Sequence, residues 1–262
     1  MNKYEYNSVL YLIAKPLFLG FGFKIMLNIA GPYLWLSIII GTIIGLLINF
    51  ILSRFNKINK CLLSVYSLLM LIIGIGLLTR MISRIYLDQT PIYLIILPLI
   101  LLIYYTCTKK EDTIFKVSSI IIVVEIILLL IALFALIPEI NLNHFIPSYA
   151  LNMRNLITSS LCFAVISTIP YLLLPKFKGN YNYKTYLLSC FTLLLIGIFI
   201  IGVLGYDVSL FYTFPEYTIF KRIHIMGYLE NLENILFIIW FIIYFPFLTI
   251  AAYNLKKIFK KD

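Results

Sequence analysis

About eight apolar runs of some 20 residues follow one another along this chain, each about the length a helix needs to cross a lipid bilayer. They cover residues 7–30, 33–53, 61–83, 90–108, 117–137, 155–174, 185–206 and 234–255. Backbone amides cannot go unpaired in lipid, so these runs must be helices rather than open sheet. Composition agrees. Charged residues are 12% of the chain, against roughly 25% in soluble domains, too few to cover a globular surface. The expected fold is all-α: a polytopic membrane helix bundle of about eight transmembrane helices, forming one domain over residues 1–262.

Breakers mark the joints. Gly31-Pro32 separates the first two runs, Pro138 closes the fifth and Pro175 closes the sixth. The short loops alternate in charge. Arg54, Lys57 and Lys60 fill one; Lys109, Lys110 and Lys116 flank the next of that set, and Lys176, Lys178 and Lys184 the third. The tail carries Lys256, Lys257, Lys260 and Lys261. The other loops carry Asp88, Glu139, Asp207, Glu216, Glu230 and Glu233. Basic loops stay in the cytoplasm, so both termini are expected there, which agrees with an even helix count. The net charge of +10 therefore reads as topology, not as a nucleic-acid patch. The N-terminus lacks a basic leader and a small-residue cleavage site, so the first run is expected to remain as a helix.

Sites of familiar chemistry are not apparent. Cys61, Cys107, Cys162 and Cys190 lie in or beside apolar runs without C-x-x-C spacing, and read as small packing residues. His144 and His224 have no ligand-like neighbours, so neither a metal nor a cofactor is expected. There is no G-x-S-x-G, H-E-x-x-H or Walker A motif, and Asp88, Asp112 and Asp207 all fall in loops. Catalysis is not expected.

The first run is interrupted at its centre by Lys15-Pro16 and then Gly20-Phe21-Gly22. Proline and two glycines weaken helix continuity. A break at membrane depth is tolerated where it faces protein or a cavity, and its freed backbone groups can hold a small polar substrate or an ion. The other reading is a tight helix crossing built on small residues. Lys24 and Glu125 are the intramembrane charges singled out, since such charges usually face a bundle interior. Lys24 either snorkels to the interface or pairs with Glu125. Arg80 and Arg84, one turn apart, read as interfacial anchors or as a gate. The sixth run clusters small and hydroxylated residues from Thr158 to Thr168, suited to helix packing or to a second substrate-contacting helix. Between the seventh and eighth runs, Pro215-Glu216 begins a short helix. Tyr217, Phe220 and Ile223 are expected on its membrane face, with Lys221 and Arg222 toward water.

That loop carries a resemblance. Phe214-Pro215-Glu216-Tyr217-Thr218-Ile219-Phe220-Lys221-Arg222, then Gly227-Tyr228-Leu229-Glu230-Asn231-Leu232-Glu233 and Trp240, resembles the B-subunit permeases of endospore germinant receptors. Leu19-Gly20-Phe21-Gly22 through Trp35-Leu36-Ser37 to Gly41-Thr42-Ile43-Ile44-Gly45, and Thr90-Pro91, are also similar. Asn231 stands where an arginine is common in that family. The resemblance implies the inverted-repeat fold of amino acid–polyamine–organocation permeases, here lacking the last two of about ten helices. In that fold the first and sixth helices unwind around the substrate. This would set Gly20, Phe21 and Gly22 opposite Cys162, Phe163, Ala164 and Ser167, with Lys24 and Glu125 in the same site. The function implied is a spore germination protein in the inner membrane of the spore. It would bind a small nutrient such as an amino acid and work with a second membrane subunit (A-type) and a lipoprotein subunit (C-type). An amino acid secondary transporter, or a transport-inactive permease homologue, is the alternative.

Overall fold

The computed structural model describes residues 2–54, 60–146, 151–174, 182–222 and 232–259. All regular structure among them is helical. The first run is divided into α1 (Lys3–Ile13) and α2 (Phe23–Ala30), joined by a turn and a π-helical stretch, Phe18–Gly22. Then come α3 (Leu34–Arg54), α4 (Lys60–Ile85), α5 (Ile92–Cys107), α6 (Glu111–Leu136), α7 (Met153–Thr168) and α8 (Tyr183–Phe199). Two single turns, α9 (Tyr206–Ser209) and α10 (Pro215–Thr218), precede α11 (Leu232–Phe259).

Each predicted run is helical over most of its length. Among the described residues, five segments are long and apolar enough for a full crossing: Lys3–Arg54, Cys61–Ile85, Glu111–Glu139, Met153–Leu173 and Tyr183–Leu204. The first contains both of the first two sequence runs. α5, at 16 residues, spans roughly 24 Å, short of the ~30 Å hydrocarbon core.

Local chemistry starts the helices where the sequence permits. Asn2 and Glu5 form a capping box on α1. Asn152 caps α7 through the amides of Arg154 and Asn155, and Asn182 caps α8 through that of Lys184. Each cap satisfies amides that would otherwise be orphaned at a helix start.

The first span is the centre of the bundle. α1 packs against α6, α8 and α11, and α2 against α7. From Val9 to Ala14 no side chain is more than 1% exposed. α11 closes the far side with one helical face, Trp240, Ile243, Tyr244, Phe247, Leu248 and Ala251, all buried. By contrast, α5 and α6 expose Ile92, Leu97, Tyr104, Ile120 and Phe134. A soluble protein would cover apolar faces of that extent; these suit lipid as the solvent. The molecule is a polytopic helical membrane bundle.

α10 begins at Pro215 as expected, and Lys221 and Arg222 are exposed. Tyr217 and Phe220, however, do not face the membrane. Both are buried in the bundle, and Phe220 meets the Trp240 ring edge-on at 5.5 Å. An aromatic pair in protein outweighs interfacial contact here because α11 supplies the partner. The stretch 223–231, with Ile223, Gly227, Glu230 and Asn231 of the loop motif, lies outside the described residues, as do Lys57, Pro175, Lys176 and Lys178.

Candidate functional site

The break in the first span is real, and it lies at Lys15-Pro16, upstream of the two glycines. Residues 14–17 form a turn, and the π-helix that follows closes with Phe21 and Gly22 both donating to the Leu17 carbonyl. Pro16 has no N–H to give, so carbonyls around it need other donors. Two neighbouring helices supply them. The Ser189 hydroxyl of α8 donates to the Tyr11 carbonyl at 3.0 Å, and the Tyr244 hydroxyl of α11 donates to the Pro16 carbonyl at 2.6 Å. Gly20 leaves room for the second bond, since a Cβ there would stand 2.7 Å from the Tyr244 oxygen. A Cβ on Gly22 would meet the Phe18 ring at 2.8 Å, so the π-turn itself needs that glycine.

Lys15 projects from the turn into the bundle. Its ammonium donates to Glu125 Oε1 at 2.5 Å, with both side chains almost fully buried. The same ammonium sits 3.5 Å from the centre of the Tyr11 ring. Tyr11 also turns its hydroxyl toward Glu125 and Thr192. Lys15, Glu125, Leu19, Leu129, Leu193, Ile196, Trp240 and Ile243 enclose a void of about 10 Å³, room for one water at most. The other carboxylate oxygen, Oε2, is buried and has no hydrogen-bond partner among the described residues. Burying an ion pair costs several kcal/mol per ion, so apolar residues of similar size would stabilise the fold as well or better. Intramembrane charges commonly pair in this way and face a bundle interior.

Glu125 was legible as an intramembrane charge, but its partner is Lys15, not Lys24. Lys24 instead donates to the Leu210 carbonyl. It does not reach Glu125, because the loop after α8 folds back onto α2. That loop brings in a second buried acid, Glu216, which is 1% exposed. Burial pushes its carboxyl well above the usual carboxylate range, while its own backbone bond and Lys24 pull the other way. Two buried acids thus stand near the two lysines of the first span.

Of the remaining predicted residues, Phe163 faces the break: its ring lies 4.9 Å from that of Phe18. Ala164 and Ser167, at the next position and one turn further along, are both buried. Ser167 shares a hydrogen bond with the Tyr186 hydroxyl of α8 at 2.9 Å, and Ser159 one with Ser37 of α3 at 3.1 Å. Gly41 and Gly45 let α3 approach that face, since a Cβ on Gly41 would stand 2.6 Å from the Ser160 carbonyl. The hydroxyl cluster therefore packs α3, α7 and α8 together. Cys162 is half-buried. α7 stays regular through all of these residues and changes to a 3-10 turn only at Ile169–Leu173. Phe21 packs at the edge of the core, and Gly20 faces α4 and α11, not α7. Arg80 and Arg84 are exposed, as anchors would be.

Sequence reading took Lys15 as part of the interruption and not as a buried charge, and it passed over Tyr244 and Ser189. A lysine directly before a proline, four residues after a tyrosine, was the available signal for Lys15. The hydroxyls carry no such signal, because their role depends on which carbonyl lies opposite.

Beyond the break, α2 leads to a cleft of about 370 Å³ of mixed lining, with Asn28, Asn152, Asn155 and Asp207 beside Ile29, Leu151, Leu156 and Leu210. Gly31 (φ +60°) turns the chain there, a conformation that favours glycine.

A search of curated proteins returned no match. A family model described as spore germination protein matches residues 57–261. The matched part holds α4 to α11, and with them Glu125, Ser189, Glu216 and Tyr244; the break and Lys15 precede it. A membrane helix bundle with well over half its length matched in this way belongs to the spore permease family of spore germination proteins.

Proposed function

We propose that this chain is the permease-like membrane subunit of a nutrient germinant receptor, and that it binds a small nutrient such as an amino acid at the broken first span. The observation that carries the reading is the break itself. Its backbone is non-helical at membrane depth, its carbonyls are met by hydroxyls of α8 and α11, and a buried charge pair stands beside it. Discontinuous helices of this kind suit recognition of a polar solute inside a membrane. The void at Lys15 is too small for an amino acid, so binding requires the span to move. The nutrient would then bias two arrangements of the bundle by its differential affinity for them. Phe163 on α7 faces the proposed pocket beside Phe18, Phe21 and Gly22, with Lys24 nearby; Gly20 stays on the α4 and α11 side. The cleft at the end of α2 lies on the acid-loop side. With both termini cytoplasmic, that side would face outward and admit the solute. A second membrane subunit and a lipoprotein subunit would read out the change, in the inner membrane of the spore.

The test is Gly22→Leu, which fills the π-turn. With the purified chain in lipid nanodiscs and a mixture of labelled L-amino acids, the variant should lose the binding that the wild type shows while still assembling as a monodisperse helical protein, with a lower melting temperature because the leucine crowds Phe18. Unchanged binding would remove the site. A second reading, an amino acid secondary transporter, is favoured by the buried charge pair, which is a common feature of ion-coupled pathways. Uptake of the same amino acids into proteoliposomes would support that reading over a receptor.

A further inference from the structure

We infer that the groove between α4, α5 and α11 is a binding site for an anionic phospholipid, which lays an acyl chain along the groove and sets its phosphate on Lys256. The groove shares no lining residue with the void at Lys15, so the site does not depend on the nutrient reading.

The shape of the groove follows from its helices. α11 packs against both α4 and α5, but Ala252 puts only a methyl group at the floor. Leu71 and Ile75 of α4, with Ile100 and Ile103 of α5, form apolar walls around about 380 Å³. The groove follows α5 from Ile100 to Cys107, a rise of about 10 Å. A helix about 10 Å across would fill roughly 800 Å³ over that length, twice the space present. An acyl chain is narrower and brings no polar atom that the walls would have to satisfy.

The two ends of the groove differ in charge. At one end Ile100 is half exposed and open to lipid; at the other stand Thr108 and Lys256. The Lys256 ammonium donates to the Cys107 carbonyl at 2.5 Å, at the end of α5 where carbonyls lack helical partners. An ammonium has three donors, and among the described residues this one meets no carboxylate. Lys257, the next residue, is already paired with Glu111 at 2.6 Å. Lys109 and Lys110 follow Cys107 closely, are exposed and meet no carboxylate among the described residues. Asp112 is the other acid of that turn. Lys109, Lys110, Lys256 and Lys257 thus stand against Glu111 and Asp112, a surplus of two positive charges at the mouth. A lysine that only capped a helix end would need neither a groove beneath it nor more lysines beside it. Apolar walls under a basic rim match the two halves of an anionic phospholipid, and basic pockets between membrane helices hold such head groups.

The experiment is native mass spectrometry of the full chain, purified in detergent and offered equal amounts of phosphatidylglycerol and phosphatidylcholine with the same acyl chains. The expected result is a bound phosphatidylglycerol retained roughly tenfold over phosphatidylcholine, the order that one or two lysines give at an anionic head group. Lys109→Gln/Lys256→Gln should remove that preference. Ala252→Leu, which fills the floor and keeps every charge, should lose the bound lipid. Ile100→Phe, at a half-exposed position that tolerates added size, should do the same from α5. Lys184→Gln removes an exposed lysine at the start of α8 and should leave the preference intact, which separates the site from overall charge. Glycerol 3-phosphate in excess should not displace the lipid, because it has no chain for the groove. The inference is overturned by equal retention of the two lipids, by a preference that survives in Lys109→Gln/Lys256→Gln or falls equally in Lys184→Gln, by unchanged retention in both groove variants, or by displacement with glycerol 3-phosphate. A lipid-free dimer would overturn it too, since a second copy would then cover the groove.

Discussion

Pro16 and Pro98 sit in apolar helical runs of one chain, yet only one of them ends its helix. Pro98 lies inside α5, which continues unbroken from Ile92 to Cys107, and its side chain is exposed. Pro16 lies in a turn that divides α1 from the π-stretch, fully enclosed by protein. Pro246 is likewise carried inside continuous α11. The difference teaches that proline alone does not set a break in this bundle. A lipid-facing helix must keep its remaining backbone bonds because nothing else can meet them. Around Pro16, the Ser189 and Tyr244 hydroxyls meet carbonyls that the helix gives up.

A series of substitutions presses on that comparison, taken from the largest expected effect to the smallest. Lys15→Ala leaves Glu125 charged and alone in the interior, and should destabilise by about 3–5 kcal/mol. Thermal unfolding in detergent would register the loss, and the added change Glu125→Gln should restore much of it. If Lys15→Ala melts like wild type, the ion pair does not hold the break. Tyr244→Phe removes the donor to the Pro16 carbonyl and should cost about 1–2 kcal/mol. Gly20→Ala displaces the same hydroxyl, so the two changes together should cost clearly less than their sum. Additive losses would mean that Gly20 serves something other than that hydrogen bond. Pro16→Ala should change stability by about 1 kcal/mol or less and leave the break in place. Spin-label distances between positions 7 and 28 would check this, and a longer distance matching a continuous helix would return the cause to the proline.

Much of the site could be read from residues, though not its pairings. The Pro16, Gly20 and Gly22 interruption was visible because those residue types alter backbone freedom wherever they stand. Glu125 was visible because a short acid in an apolar run has nowhere to hide. Its partner was not. Lys15 and Lys24 are nine positions apart on one interrupted span, and helical spacing from either one no longer holds across a turn and a π-helix. The hydroxyls from Thr158 to Thr168 illustrate the same limit: their residue types suit both a ligand and a neighbouring helix, and α3 with its glycines took that face.

The sequence by itself determined that this is an all-helical membrane bundle and that its first span is interrupted. These follow from hydropathy and backbone chemistry, which act within one segment. Only the tertiary structure decided that the first span lies at the centre, that Glu125 meets Lys15, and that Tyr217 and Phe220 turn inward. The apolar runs resemble one another, so hydropathy cannot rank which of them is wrapped by the others. Contacts between helices depend on rotation about each axis, and that is settled by packing and by the few polar groups that must find one another away from water.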